Sequence, residues 1–389
     1  MRNTTVYPGS ANGVVTAPSS LDEALSAIVL AAITRTSVRG AGSSVDTISM
    51  FNGLFAMGAK FRQQEDVVTF YTAPKKGSAN IECTHKVLVF LLPLCIALGG
   101  EYTFLGEFDS HIIAGLKSLD IDWSVSEKGV TIRSNRQNRD TALEDETFAA
   151  GFMLTLPLNE SAKLSCSSGK KFAELTVAIM QDFGYRLFDQ EGYSIAKHRK
   201  VDTNYIYSVG GDYGKSAYLL LAGFLSGEVG VTGLLAGSMQ SGRSVTDEFK
   251  DLKLRVNEMN GAVFAKKSRI GEAVIDVSGM AEPIVALVLA CFCKGKCVIK
   301  NAEKLSDERR EEFDITAKAL QSIGADIIKI GQEHFITGSK KLFGGNVNAH
   351  GSQNIAMALA AAGIVSEIGV TLSNAPSLDV LQRLGVTIQ

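Results

Sequence analysis

A few side chains in this sequence stand where their type and spacing could do chemistry. Asp212 lies four residues before Ser216, where an apolar run begins, and Glu282 immediately precedes Pro283 at the head of another. Asp is a preferred N-cap, and a carboxylate near a helix start complements the helix dipole, so both residues have a structural reading beside a chemical one. Ser19 and Ser20 precede a third apolar run and read as its caps before they read as ligands. Asn80, Thr84 and Lys86 are spaced along the approach to a fourth, and Lys86 or Lys170 at a helix mouth could hold an anion, although a solvated lysine is the simpler reading of Lys170. His85, between Thr84 and Lys86, is the histidine set among such residues, and the others are scattered with no metal constellation. Cys291-x-Cys293 with Cys297 lacks a fourth ligand at sensible spacing. Gly214-Lys215-Ser216 ends like a phosphate loop, but Val209 stands where that loop needs its first glycine. Arg309-Arg310, amid acids, reads as an exposed helix face with i,i+4 pairs.

The chain has 389 residues, 46% apolar and 21% charged, which is enough for two or three domains with sizeable cores. A net charge of -2 argues against a nucleic-acid-binding protein, while leaving room for a local basic cleft. No apolar run has the length of a membrane span, and the N-terminus shows no basic-then-apolar leader. The six cysteines lie mostly in apolar runs and read as reduced core thiols of a cytoplasmic protein.

The elements that must position these residues recur. Leu320-Gln-Ser-Ile-Gly324 ends a helical phrase on a glycine, and a strand, a polar turn and a second strand follow to Thr337. A glycine suits a helix C-terminus because positive φ is cheapest without a Cβ. The phrase occurs six times, starting near Leu21, Lys86, Phe148, Ser216, Pro283 and Asn354, with the glycine in five copies and Asp120 in its place in the second. Each copy reads strand, helix, strand, helix, strand, strand. The first helix of each copy is apolar on nearly every face, so helices should pack inside each domain with sheets around them. The sixth copy stops one strand short, and two spare strands, Thr4–Tyr7 and Gly13–Thr16, stand at the N-terminus. The termini are therefore expected to meet. That predicts one domain of residues 1–12 with 212–389 and an inserted domain of 13–211, crossing near 12–13 and 210–211, with a ligand cleft between them.

Six such units in two domains, with several local phrases, resemble the EPSP synthase branch of the enolpyruvyl transferase family. Asn80-x-x-x-Thr84-x-Lys86 sits where that family has Asn-x-Gly-Thr-x-x-Arg. Val209-Gly-Gly-Asp212 with Ser216-Ala-Tyr218 looks like its Val-Glu-Gly-Asp-x-Ser-Ser-Ala-x-Tyr. Ile355-Ala-Met-Ala, Leu105-Gly-Glu107 and Phe148-Ala-Ala-Gly also fit. The resemblance covers nearly the whole chain and implies a two-domain, inside-out α/β barrel of six βαβαββ units. It implies a monomeric transferase without cofactor that moves an enolpyruvyl group from phosphoenolpyruvate to shikimate 3-phosphate, both anionic and bound between the domains. By resemblance Glu282 is the catalytic carboxylate, one methylene longer than the family's aspartate, and Ser19, Asn80, Thr84, Lys86, Ser168, Lys170 and Asp212 bind substrate.

The basic positions mostly differ. The lysine and arginine of the family's opening Ser-Lys-Ser-x-Ser-x-Arg fall at Pro18 and Glu23. Lys-Glu-Ser-Asp-Arg aligns with Glu308-Arg-Arg-Glu-Glu312, and Asp-His-Arg with Ser352-Gln-Asn354. Among these basic positions Lys86 and Lys170 keep their charge. A cleft lined by Glu23, Glu282 and Glu308 would repel two phosphorylated acids. The expectation is an EPSP synthase homologue that does not work by the usual mechanism: an enzyme either weakly active or altered for a different, less anionic acceptor, or, alternatively, a silent binding or assembly protein on the same scaffold.

Overall fold

A computed structural model of the chain describes residues 3–106, 108, 110–117, 119, 121–135, 140–143, 148–158, 162–166, 174–188, 193–198 and 201–389. The chain forms two units, Met1–Pro18 with Gly211–Gln389, and Ser19–Gly210. Each has its own apolar core and its own three sheets.

The repeats are α/β throughout. In the fifth, strand Ala273–Asp276 leads to helix Pro283–Cys291, and strand Lys296–Lys300 returns parallel to the first. Helix Asp307–Ser322 follows, then a hairpin of Asp326–Ile330 and Glu333–Thr337, whose second strand pairs with Lys296–Lys300. The second repeat has the same order from Gly77–Glu82 to Gly129–Ser134. Composition explains which helix goes inside. All nine residues of Pro283–Cys291 are buried, as are twelve of the fourteen in helix Tyr213–Ser226. Asp307–Ser322 is instead charged on one side and buries Phe313, Thr316, Ala317 and Leu320, a single stripe at helical spacing. Helices thus form the interior, and sheets present one face to them.

The termini meet as expected. Thr4–Val6 runs antiparallel to Val370–Ser373, and Gln389 exchanges backbone hydrogen bonds of 2.7 and 3.0 Å with Thr5. The first crossover, however, falls after Pro18 and not near Asn12-Gly13. Asn12–Thr16 pairs in parallel with Glu228–Thr232 along its whole length, so residues 13–18 belong with 211–389. The strand opens the fourth repeat, as Ile206–Ser208 opens the first by pairing with Ser37–Arg39.

The glycine that closes the second helix also needs one correction. Gly58, Gly184, Gly324 and Gly385 take φ of 87, 85, 102 and 79°. In the fourth repeat Lys253 holds that position at 57°, and Gly261 lies instead in the hairpin turn between Arg255–Met259 and Ala262–Lys266. A lysine there accepts left-handed strain that glycine would avoid. Asp120, in the second repeat, is outside the described residues.

Candidate active site

In the unit containing the termini, the helices that start at Tyr213, Pro283 and Gln353 pack against one another. Glu282 stands at the N-cap position before Pro283 but makes no capping bond with its side chain. Its Oε2 accepts a 2.8 Å hydrogen bond from the Tyr218 hydroxyl. Its Oε1 lies against Gly214 in the first turn of helix Tyr213–Ser226, 2.6 Å from where a Cβ there would stand. Burial is the main cause that pushes the Glu282 carboxyl up to about 7. The Tyr218 hydrogen bond and the Arg309 charge oppose that rise, and the Asp212 and Glu312 carboxylates add to it. The same burial, with Glu282 beside it, raises the Tyr218 hydroxyl.

The loop carrying Glu282 is held from two sides. Arg309 donates to the carbonyls of Met280, at 3.1 Å, and Ala281. Glu248 Oε1 accepts from the Ala281 N–H at 2.9 Å and from Ser244 Oγ at 2.8 Å. Arg309 is therefore not the exposed residue its acidic neighbours suggested, because the loop before Pro283 offers it two carbonyls; Arg310 does pair outward, with Asp307 at 2.5 Å. Glu312 accepts hydrogen bonds from Ser352 Oγ and, at 3.1 Å, from Asn354 Nδ2. Asp212 caps its helix through the Lys215 N–H at 2.9 Å and faces the Lys215 ammonium at 3.7 Å. A cavity of about 230 Å³ lies alongside, walled by Tyr218, Leu219 and Met357 and edged by Lys215, Gln353 and Asn354.

The Ser19–Gly210 unit holds the other described site candidates. Asn80 and Thr84 border a groove of about 470 Å³ with Ser49, Asn52 and Glu82. Thr84 caps helix His85–Leu98 and donates to Asp46 at 2.5 Å. Cys83 lies in the same groove, its thiol pushed up to about 12 by burial. Lys86 does not line the groove; it pairs with Asp22 at 2.8 Å on the surface. Ser20 occupies the N-cap of helix Leu21–Thr34 without a capping bond from its side chain, and Ser19 lies one residue earlier, beside Gly42. The capping expected of these serines is not made. Ser168 and Lys170 lie outside the described residues.

The three glutamates have different settings within their units. Glu23 is 3% exposed and turned into its own unit, where it accepts from the Tyr207 hydroxyl at 3.1 Å and the Gly210 N–H at 2.7 Å. Glu308 is exposed in the first turn of its helix. Glu282 is left as the carboxylate of a site, joined there by Tyr218, Arg309, Glu312 and Asn354, to which sequence reasoning gave no role. The available signal was paired: Glu312 and Asn354 both stand where the resemblance places an arginine.

The match to a family model for EPSP synthase (3-phosphoshikimate 1-carboxyvinyltransferase) runs over residues 7–380. The chain belongs to the EPSP synthase family. A 3-phosphoshikimate 1-carboxyvinyltransferase of Clostridium botulinum (strain Eklund 17B / Type B) is 26% identical over 401 aligned positions, covering 92% of this chain and 90% of the relative. One from Methanocorpusculum labreanum is 25% identical, covering 94% and 92%. EPSP synthase from Acinetobacter baumannii superposes with a TM-score of 0.81 over 100% of this chain and 99% of that one, at 16% identity. That likeness establishes the fold. No helix among the described residues is long and apolar enough to cross a membrane.

Proposed function

We propose that this EPSP synthase-family protein keeps the acid–base part of the family site and has exchanged an anion clamp for a hydrogen-bonding pair, so that it acts on a less anionic acceptor. The observation that carries this is the contact between Glu312 and Asn354 at 3.1 Å. Both occupy positions where the family motifs end in arginine. Two guanidinium groups suited to forked pairing with phosphate or carboxylate are replaced by a carboxylate and an amide that satisfy each other. Each lost charge-assisted contact costs about 1.5–3 kcal/mol, so two weaken binding of an anion by about 10²–10⁴-fold. Glu282 supports retained chemistry. A carboxyl near 7, hydrogen-bonded to Tyr218, can take and return a proton at neutral pH. A silent scaffold would need no such group.

The test is calorimetric titration with shikimate 3-phosphate and phosphoenolpyruvate, singly and together, beside an assay of phosphate release. The expected result is no saturable binding of the pair at micromolar concentration and no EPSP synthase turnover of ordinary size. Tight binding of both with normal turnover would overturn the proposal.

A further inference from the structure

The cavity beside Glu282 has a lining that limits what it can hold. It lies within the unit containing the termini, where helices Tyr213–Ser226 and Gln353–Ile364 pack together, and its volume is about 230 Å³. Tyr218 and Leu219 border it from the first helix, Met357 from the second, and Val380 from the short helix Asp379–Gln382. An apolar cavity of about 150 Å³ already admits benzene, so this one has room for a six-membered ring with a substituent. Two of its lining positions, Pro18 and Asn354, are ones where the resemblance places a lysine and an arginine, and neither carries a charge. Among the described residues on its border Lys215 is the one cation, and Asp212 faces its ammonium at 3.7 Å. Gln353 and Asn354 supply the rest of the polar rim. Gln353 Nε2 donates to the Ser377 carbonyl and Asn354 Nδ2 to Glu312, each at 3.1 Å. Each amide keeps its oxygen as an acceptor and a second N–H as a donor, and a hydroxyl matches that pair because it both donates and accepts. A carboxylate or a fully ionised phosphate only accepts, and it finds no uncompensated positive charge here to offset its loss of water.

On the reading that the site takes a less anionic acceptor, we propose that this cavity is its seat and that the acceptor is a neutral alcohol. An apolar body of about six to eight heavy atoms rests against Leu219, Met357 and Val380, and its hydroxyl groups meet the Gln353 and Asn354 amides. Selection against anions comes from Pro18 and Asn354, which withhold two charges. Selection for the hydroxyl comes from the two amides. Tyr218 joins the seat to the chemistry, since it borders the cavity and its hydroxyl bonds Glu282 at 2.8 Å.

Methyl NMR of the full chain, labelled at its methionines, tests it with cyclohexanol and cyclohexyl phosphate as probes and Met357→Leu to assign the Met357 signal. Cyclohexanol should shift that signal saturably, with a dissociation constant of about 1–10 mM, an ordinary affinity for so small a ligand. Cyclohexyl phosphate should bind at least about 10-fold more weakly, because its charge goes uncompensated. Val380→Trp, at a half-buried position on the border, should fill the cavity and weaken cyclohexanol by at least about 10-fold with an unchanged circular dichroism spectrum. No saturable shift up to about 50 mM cyclohexanol, cyclohexyl phosphate bound as tightly as the alcohol, or an unchanged affinity in Val380→Trp would each overturn the seat. If shikimate 3-phosphate and phosphoenolpyruvate bind with normal turnover, the underlying reading fails whatever cyclohexanol does. If those two do not bind and cyclohexanol does not either, the seat alone fails.

Discussion

Two glutamates, Glu23 and Glu282, stand near helix starts in different units, and each accepts a hydrogen bond from a tyrosine. Glu23 adds the Gly210 N–H as a second donor and is 3% exposed. It ties the start of helix Leu21–Thr34 to the returning strand Ile206–Ser208 and the turn after it. Glu282 instead faces two other carboxylates, Asp212 and Glu312, and stays protonatable near neutral pH. A buried carboxylate supplied with donors becomes part of the framework, whereas one short of donors and surrounded by like charge becomes a titrating group. Where the family resemblance places an arginine, Glu23 has been absorbed into structure.

The largest effect should follow from removing the well-satisfied residue. Glu23→Ala strands the Tyr207 hydroxyl and the Gly210 N–H, each at about 1–3 kcal/mol, for a loss of about 2–6 kcal/mol in urea unfolding. Glu23→Arg, which restores the family residue type, should lose more, because a guanidinium has no acceptor for the Tyr207 hydroxyl or the Gly210 N–H. A loss below about 1 kcal/mol would show that Glu23 is not a framework residue and would erase the contrast with Glu282.

Glu282→Gln should do the opposite. The folded carboxyl is raised from 4.5 to about 7, so ionising it costs the folded state about 3 kcal/mol. That cost is absent below about pH 4.5, grows as pH rises through the folded value, and is complete above it. Glutamine stays neutral and still accepts from Tyr218. Relative to the parent, the variant should therefore gain about 3 kcal/mol between pH 4 and pH 8, read from urea melts at the two pH values. A pH-independent difference would mean that Glu282 is ionised at low pH like an ordinary surface carboxylate.

The repeat, the meeting of the termini and the inward placement of helices were legible because they depend on periodicity and apolar content, which each residue carries by itself. The first crossover was misplaced because Asn12–Thr16 is recognisable as a strand while its partner, Glu228–Thr232, is more than two hundred residues away. The site was less legible for the same reason. Glu282 could be found from its place before Pro283, but its partner Tyr218 is sixty-four positions distant. Arg309 looked like surface charge because the carbonyls it binds, at Met280 and Ala281, belong to another element. Glu23 was read by sign alone, as a repelling charge, when its two donors at the other end of its unit decide its role.

The smallest effect sharpens the comparison within one turn. Asp22 adjoins Glu23 yet points outward to Lys86 at 2.8 Å, with both side chains about half exposed at 60 and 45%. An exposed pair of this kind contributes about 0–1 kcal/mol. Lys86 also sits in the first turn of helix His85–Leu98, where a cation opposes the helix dipole by about 0.3–1 kcal/mol. The two contributions nearly cancel, so Lys86→Met should change unfolding stability by no more than about 0.5 kcal/mol, and moderate salt should shrink even that. A loss near that of Glu23→Ala would mean the ion pair, and not the buried carboxylate beside it, anchors this helix start. A small change leaves Lys86 free of structural duty.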